Sequence, residues 1–348
     1  MIKTALKLIC LIIPLTMLFG SNNETYVLSK VLNPQKMCVF GENLIVVDGF
    51  EFHLFSLTDL SNIVSFGREG DGPGELQANP YWYNSVSFSG DEIFIDSLNK
   101  VLYYSREGKF LRQKRKPVGI SQMWPVGPNY LGLNQVHLEG DFQYVVLLLF
   151  DSDMNQIKEL ARQKSPVQSA KRTTEAIFDT LNFAVLKDEI FVEKSREGFV
   201  IDVFNNKGIK IRKIKRDVQR IPIYKKDRDI AIEHIKNDPT IKNLLGFEKL
   251  KEMTKFIYPD AYPSITGLIA DENQLYVLTS AKRDGGTECL ILDSRGSDLD
   301  RIYIPVVNPA PFVSQLLGIQ FFTIADRKLY YADVEGEDTV LHIHEFHK

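Results

Sequence analysis

The stretch "FTIADRKLYYADVEGEDTVLHIHEFHK", residues 322–348, gives the clearest indication of the architecture. Two short apolar strands are joined by a polar turn at residues 326–328, and a third apolar strand, "TVLHIHEF", follows a second polar turn. Short apolar runs separated by turns of Asp, Gly or Lys are typical of antiparallel hairpins. We therefore expect three adjacent antiparallel strands here, in a unit whose fourth strand is missing from this stretch.

The same order of strand, turn and strand recurs along the chain, although the amino acids differ from copy to copy. Clear copies are "CVFGENLIVVD" from residue 38, "SVSFSGDEIFID" from 85, "FAVLKDEIFVE" from 183 and "GLIADENQLYVLT" from 267, and "MWPVGPNYLGL" from 123 is a weaker one. In the five copies before the last, two further strands follow, as in "LYYSREGKFLRQ" at 102–113. Six four-stranded antiparallel units without alternating helices favour an all-β, six-bladed β-propeller over a sandwich.

A spare strand near the other end of the sequence can supply what the last unit lacks. "TYVLSKVL", residues 25–32, precedes the first copy. If this strand pairs with the final one, it closes the ring and covers a sheet edge that would otherwise promote association. We expect the N-terminal strand to close the last blade.

A helical insertion is expected between blades 4 and 5, at about residues 224–258. Apolar residues recur there at spacings of three and four, which is the period of an amphipathic helix. They are Ile241, Leu244, Leu245, Met253, Phe256 and Ile257. The insertion either covers apolar surface at one mouth of the propeller or shapes a pocket there. The sequence leaves both roles open.

The first twenty residues predict a signal peptide or an N-terminal anchor. Lys3 and Lys7 precede a twelve-residue apolar run at 8–19, in the order of a secretory signal. A membrane-spanning helix needs about 20 apolar residues, so the run is short for that purpose. We place the leader at 1–20 and the propeller at 24–348, and we expect an extracytoplasmic protein that is periplasmic, secreted or membrane-anchored.

Composition limits the classes of partner. The chain has 348 residues, 44% of them hydrophobic, and a net charge of −3, so no overall field attracts nucleic acid. After the leader only Cys38 and Cys289 remain, which is too few for a disulfide framework. We expect both to be buried thiols.

"FGREGDGPGEL", residues 66–76, predicts a sharply turning connection from the first blade to the second. Glycine accepts positive φ or close backbone approach, and proline fixes its own φ and restricts the residue before it. The expected structural turn residues are Gly67, Gly70, Gly72, Pro73 and Gly74.

This run, followed by Pro80, resembles the signature of NHL-type and TolB-like six-bladed β-propeller proteins, which are commonly exported in bacteria. The resemblance implies a six-bladed fold in which the N-terminal strand closes the last blade, and usually a binding or scaffolding role. The glycine motif occurs once and covers residues 66–76, while the blade pattern covers 24–348.

Five side chains in and after the glycine loop are candidates for ligand binding. Arg68, Asp71 and Glu75 either point outward to a ligand or pair with one another. Tyr81 and Trp82 in "NPYWYN" begin the next inner strand, where they either stack on a sugar or peptide or pack at the blade junction.

No metal or cofactor is expected. His342 and His344 share one face of a strand, because side chains two apart point the same way, but no third ligand can be placed beside them. A metal-dependent hydrolase of the lactonase or esterase type would need acids and amides at the starts of the inner strands. Asn84, Asn182 and Gln320 lie near such positions, without a ring of carboxylates.

The function that the sequence favours is a non-catalytic extracytoplasmic binding or scaffolding propeller. Its partner would be a protein, peptide or carbohydrate that meets one face of the disc, and not nucleic acid. The metal-dependent hydrolase is the alternative. Both interpretations depend on fold analogy, which does not identify a ligand.

Overall fold

A computed structural model describes residues 23–77, 84–244, 246–283, 286–305 and 322–346. In these ranges the chain forms 27 β-strands and three α-helices, with two single 3-10 turns at Ser169–Lys171 and Ser195–Glu197. The expected leader at 1–20, Tyr81, Trp82 and Gln320 lie outside the described residues.

Most strands belong to six four-stranded antiparallel sheets. β1 (Asn23–Val27) opens the described chain and belongs to the last of these sheets. The first sheet consists of β2 (Lys36–Phe40), β3 (Asn43–Asp48), β4 (Glu51–Ser56) and β5 (Asn62–Phe66). The second consists of β6 (Ser85–Ser89), β7 (Glu92–Asp96), β8 (Lys100–Tyr104) and β9 (Phe110–Arg115). The third consists of β10 (Gln122–Val126), β11 (Asn129–Glu139), β12 (Phe142–Phe150) and β13 (Gln156–Lys164).

The second half of the chain interrupts this order once. Two short strands, β14 (Val167–Gln168) and β15 (Thr173–Glu175), follow the third sheet. The fourth sheet consists of β16 (Phe183–Leu186), β17 (Glu189–Glu193), β18 (Phe199–Asn205) and β19 (Lys210–Arg216). Next come α1 (Lys225–Asn237), α2 (Pro239–Leu244), α3 (Phe247–Met253) and β20 (Lys255–Ile257). The fifth sheet consists of β21 (Gly267–Ala270), β22 (Leu275–Arg283), β23 (Gly286–Leu292) and β24 (Asp298–Pro305). The sixth consists of β25 (Phe322–Ala325), β26 (Lys328–Glu335), β27 (Asp338–Glu345) and β1.

Burial changes across each sheet from the first strand to the last. In the second sheet, β7 ("EIFID") and β8 ("KVLYY") are buried almost throughout, whereas β9 ("FLRQKR") is largely exposed. In the fourth sheet, β18 ("FVIDVFN") is buried, whereas β19 ("KIRKIKR") is rich in Lys and Arg and mostly exposed. A continuous apolar run suits a strand that is covered on both faces, and a basic outer strand discourages association through the edge.

Six hydrophobic clusters join neighbouring sheets face to face. One contains Ile45 of the first sheet and Ile93 of the second, and the next contains Phe94 of the second sheet and Met123 of the third. The remaining clusters join the third sheet to the fourth, the fourth to the fifth, the fifth to the sixth and the sixth back to the first. The four-stranded sheets therefore share their cores in a closed cycle, as the blades of a propeller do.

The first strand of the described chain completes the last sheet, as expected. β1 pairs antiparallel with β27, so the sheet has the order β1-β27-β26-β25. The strand ends at Val27, earlier than the expected stretch to residue 32. Leu28 and Val31 are instead buried in the cluster between the sixth and first sheets. The N-terminal segment thus contributes both a sheet edge and core side chains.

The helical region lies where the sequence places it and also forms a small sheet that the sequence did not predict. β20, directly after α3, pairs in parallel with β15, and β15 pairs with β14. Ile235 of α1 and Ile241 of α2 are buried against Ala176, which follows β15. The insertion is therefore anchored to the connection between the third and fourth sheets. Among the helices of the described residues, none has the length and apolarity needed to cross a membrane.

Candidate functional site: a central cavity lined by the first strands

A cavity of about 850 Å³ lies where the first strands of the six four-stranded sheets meet. Every one of these sheets contributes wall residues from its first strand. One wall residue from each, in chain order, is Val39, Ser87, Trp124, Val185, Ile269 and Thr323. A cavity of this size is in the range of ligand-binding pockets, which hold about 300–1,000 Å³.

The wall of the cavity is rich in aromatic rings. Phe40 and Phe88 stack with ring centroids 4.5 Å apart, and each comes from the first strand of its sheet. Trp124 and Phe183 meet edge to face at 4.7 Å, which joins the third sheet to the fourth, and Phe322 lies on the same wall. These rings offer large, flat apolar surfaces to a ligand.

The cavity extends sideways into the third sheet. Here the lining includes Leu133 and Gln135 of β11 and Val145 of β12, in addition to the first strand. β11 carries a β-bulge between Asn134 and His137, so its pairing with β12 shifts next to the cavity. Bulges redirect side chains and are frequent next to functional sites.

One end of the cavity, at the starts of the first strands, is lined by Lys36 and Gln122. Lys36 is the first residue of β2, and its side-chain ammonium makes no hydrogen bond or ion pair with any described residue. Burial lowers the pKa of the Lys36 ammonium, and attraction to Asp96 opposes that shift. Gln122, the first residue of β10, is only 6% exposed, and its side-chain amide has no hydrogen-bond partner among the described residues.

A buried ion pair lies behind this end. Lys116 Nζ is 2.8 Å from Asp96 Oδ1 and also donates to the carbonyl oxygens of Ser97 and Ser121, each at 2.9 Å. Burial raises the pKa of Asp96 to about 6, and attraction to Lys116 limits the rise. Asp96 is therefore paired with Lys116, and no carboxylate of the described residues lies within ion-pair distance of the Lys36 ammonium.

The opposite end of the cavity is formed by the turns that follow the first strands. Lys187 and Asp188 contribute from the fourth sheet, and Asp271 and Glu272 from the fifth. Asp271 accepts hydrogen bonds from the backbone N–H groups of residues 273 and 274, at 2.7 Å each. This end carries more acidic than basic side chains, in contrast to the Lys36 end.

Acidic residues that end the second strands act as caps for the backbone. Asp48, which ends β3, accepts hydrogen bonds from the N–H groups of Leu32 and Asn33 at 2.7 and 3.2 Å. Glu193, which ends β17, accepts them from Asn182 and Ser195 at 3.0 and 2.6 Å. In both sheets, the acid that ends the second strand thus holds the backbone close to the start of the first strand of the same sheet.

Glu193 is fully buried beside a second carboxyl group. Burial, and then repulsion from Asp179, raise the pKa of Glu193 to about 8. Asp179 accepts a hydrogen bond from the Ser195 hydroxyl and lies 3.4 Å from Arg196 Nε. Glu193 therefore favours its protonated form at neutral pH. Of the two acids, Asp179 is the one that lies beside Arg196.

The glycine loop closes on itself. Glu75 lies 2.6 Å from Arg68 Nη2 and accepts the Gly72 N–H at 2.8 Å. The Gly72 hydrogen bond is the main cause of a lowered Glu75 pKa, and Arg68 adds to it. Asp71 accepts a hydrogen bond from the side chain of Gln77. Arg68, Asp71 and Glu75 thus have partners within the loop, and they are not among the residues that line the cavity.

Two glycines of the loop have conformations that exclude other residues. Gly67 has φ +92°, and a Cβ there would lie 2.5 Å from the carbonyl oxygen of Phe50. Gly74 has φ +74°, and a Cβ there would lie 2.8 Å from the Phe110 ring. Tyr104 donates a hydrogen bond to the Gly74 carbonyl. The loop is packed tightly between the first two sheets, as a connecting element.

The other sequence candidates lie in varied places. Asn84 donates to the Gly49 carbonyl at 3.1 Å, and Asn182 donates to the Thr180 carbonyl at 3.1 Å. Asn182 and Thr180 also line the cavity. In the parts of the chain that the structure describes, no group of three or more His, Cys, Asp or Glu side chains is arranged to hold a metal ion.

Sequence reasoning missed the cavity wall, although a signal for it exists. Phe40, Phe88 and Trp124 all lie in the first strand of a repeat copy, at different distances from the turn that follows it. Lys36 and Gln122 face β3 and β11 residues at equivalent register positions. Their separation along the sequence hides this relationship.

No family model and no curated protein sequence matches the chain. The structure of BamB from Moraxella catarrhalis is similar with a TM-score of 0.33 and 10% identity, over 89% of this chain and 71% of that chain. The Pan2 WD40 domain of Neurospora crassa is similar with a TM-score of 0.39 and 8% identity, over 90% of this chain and 89% of that chain. At such low scores and identities, neither similarity assigns a family or a function, and the resemblance to NHL-like and TolB-like proteins stays a prediction.

Proposed function

We propose that the protein is a non-catalytic extracytoplasmic binding protein, a six-bladed β-propeller whose ligand occupies the central cavity. The observation that carries this proposal is the cavity of about 850 Å³ walled by aromatic rings from several sheets. Pockets that are mostly apolar, with a few polar groups at fixed positions, are the usual form of a small-ligand site.

The assignment of six blades is supported by the shared cores. Six four-stranded sheets join one another through six clusters in a cycle. The three-stranded sheet of β14, β15 and β20 is built from a connection and the helical insertion. It belongs to the cover of the propeller and is not counted as a blade.

An extracytoplasmic location is supported by the sequence. Lys3 and Lys7 followed by the apolar run at 8–19 have the order of an export signal. The two cysteines of the described chain are free thiols, Cys289 buried and Cys38 half-buried on the cavity wall. Burial raises the pKa of each thiol to about 12, so both resist oxidation in an oxidising compartment.

The interactions of the buried acids favour a binding role over catalysis. Asp96 holds Lys116, and Asp48 and Glu193 hold backbone N–H groups. Each of these acids therefore has a structural task. A carboxyl group that is engaged in an ion pair or in backbone hydrogen bonds is not free to transfer a proton to a substrate.

The ligand is proposed to be an apolar or aromatic group, either of a small molecule or of a peptide side chain that enters from one face. The aromatic side chains of the wall can contact an aromatic ring of the ligand in the same stacked or edge-to-face arrangements that they form with one another. The net charge of −3 gives no general attraction for nucleic acid. Arg68, Asp71 and Glu75 stay candidates for contact with a larger partner at the rim.

Titration with N-phenyl-1-naphthylamine, a neutral dye that fluoresces in apolar surroundings, tests the proposal. We expect saturable binding of one dye per chain. Ala270→Trp, which fills the cavity from β21, should weaken binding roughly tenfold or more, whereas Ala170→Trp on the exposed 3-10 turn should not. Circular dichroism and thermal melting confirm that both variants fold. Unsaturable binding, or equal affinity in the two variants, would contradict the proposal.

A further inference from the structure

We propose that the ligand of the central cavity carries an anionic group, such as a carboxylate or sulfonate, and that Lys36 and Gln122 bind this group. The inference rests on the proposed function, because it assigns the chemistry of the ligand in the same cavity. The ligand class is an amphipathic anion with an apolar or aromatic body.

The position of Lys36 is the first argument. It lines the cavity from the start of β2, and among the described residues none lies within hydrogen-bond or ion-pair distance of its ammonium. Asp96, the acid that acts on it electrostatically, is held at 2.8 Å by Lys116. A half-buried ammonium whose nearest acid is already paired with another lysine is unfavourable, and an incoming anion reduces this penalty.

Gln122 is the second, independent argument. Its side chain is more than nine-tenths buried and lines the same cavity, yet its amide has no hydrogen-bond partner among the described residues. Buried amides are normally hydrogen-bonded. The amide N–H groups of Gln122 can donate to the oxygens of a bound anion, alongside the ammonium of Lys36.

The charges at the two ends of the cavity determine the orientation in which an amphipathic anion would bind. Among the described lining residues, Lys36 is the charged group of the strand-start end. Asp188, Asp271 and Glu272 outnumber Lys187 at the turn end. An anion is therefore attracted to the first end and repelled from the second, while the apolar body lies against rings such as Phe88 and Trp124 between them.

Two dyes with the same aromatic skeleton isolate the anionic group. N-phenyl-1-naphthylamine is neutral, and 8-anilinonaphthalene-1-sulfonate adds a sulfonate to that skeleton. We expect the wild-type protein to bind the sulfonate roughly tenfold or more tightly than the neutral dye, since charge-assisted hydrogen bonds in partly buried sites are strong. Lys36→Met should remove this preference, and Lys36→Arg should keep most of it.

Lys109→Met is the control, because Lys109 is an exposed lysine that does not line the cavity. This variant should keep the wild-type preference for the sulfonate. Equal affinity of wild type for the two dyes, or an unchanged preference in Lys36→Met, would overturn the anion site. If the neutral dye also fails to bind the cavity, then the proposed function itself fails, so the two failures are distinguishable.

Proton uptake on binding distinguishes a lysine that binds the anion from one that only supports the fold. A lysine that only supports the fold would not change its protonation when the sulfonate binds. An anion beside Lys36 favours its charged form, so sulfonate binding at alkaline pH should take up a proton. Calorimetry in buffers of different ionisation enthalpy detects that proton. Uptake should be present in wild type and absent in Lys36→Met, and equal uptake in both would contradict the assignment of Lys36.

Discussion

Asn23 lies directly opposite His344 in the sheet register, although 321 residues separate them in sequence, and their side chains are hydrogen-bonded. This pairing makes β1 the outer strand of the sixth sheet. The side chains of β1 are all exposed. β1 therefore contributes mainly backbone hydrogen bonds to β27, whose edge would otherwise be exposed.

Deletion of residues 23–27 should lower stability little and increase association strongly. Backbone hydrogen bonds contribute about 1 kcal/mol each, and the cost of ordering each residue is about 1–2 kcal/mol, so the two nearly cancel. Thermal melting should fall by a few degrees, and light scattering should show oligomers. Extending the deletion to residue 32 also removes buried Leu28 and Val31 and should cost several kcal/mol more. Unchanged melting in the longer deletion would contradict ring closure.

Gly67→Ala should destabilise the protein far more than Gly49→Ala. Both glycines have positive φ, but a Cβ at Gly49 meets nothing within 4 Å, whereas a Cβ at Gly67 lies 2.5 Å from the Phe50 carbonyl oxygen. Backbone strain alone costs about 1–2 kcal/mol, and the clash raises the loss at Gly67 to roughly 2–5 kcal/mol. Urea unfolding of the two variants measures the difference. Equal losses would show that the loop is not tightly packed.

The buried carboxyl of Glu193 should make stability fall as pH rises from about 6.5 to 8. Its native pKa is raised to about 8, while an unfolded glutamate titrates near about 4.3. Between these values the native state holds a proton that the unfolded chain has released, so raising the pH favours unfolding by up to about 1.4 kcal/mol per pH unit. Above about pH 8 both states are deprotonated and this slope ends.

Glu193→Gln isolates this effect, because glutamine does not titrate. Urea unfolding at several pH values in this window should give a flatter profile for Glu193→Gln than for the wild-type protein. Glu107→Gln is the control, since Glu107 is exposed and its pKa is lowered by the Ser105 hydroxyl, so it does not titrate in the window. The same slope in wild type and Glu193→Gln would place the titration elsewhere.

Lys36→Met should leave the protein equally stable or more stable. Burial lowers the native pKa of Lys36, so the charged form is disfavoured in the folded state at every pH below that pKa. Removing the charge gains on the order of 1 kcal/mol for each unit of lowering. Thermal melting at pH 7 checks the sign. A marked loss of stability would show that Lys36 supports the fold and is not reserved for a ligand.

The repeat could be predicted from the sequence because its signals are local. Each copy has apolar strands and a turn within about a dozen residues, and the acid that ends units such as "EIFID" and "EIFVE" caps a nearby backbone. The closing strand was also predictable, since an unpaired edge in one unit and a spare strand elsewhere match each other. The helical insertion followed from periodicity within one segment.

The cavity and the small sheet could not be predicted in the same way. β15 and β20 are three residues each and pair in parallel across a long stretch of sequence, so neither carries a local signal. The contact between Trp124 and Phe183 depends on how the third and fourth sheets face each other. Lys36 looks like an ordinary solvated lysine until the register of β2 places it on the cavity.

A crystal structure of the protein with 1-bromonaphthalene would show whether an aromatic ligand occupies the central cavity, because bromine gives an anomalous signal that locates the ligand. We expect one main bromine site inside the ring of first strands, with the naphthalene against Trp124 and Phe183. A main site on the outside of the sheets, or an interior closed by side chains, would contradict this expectation.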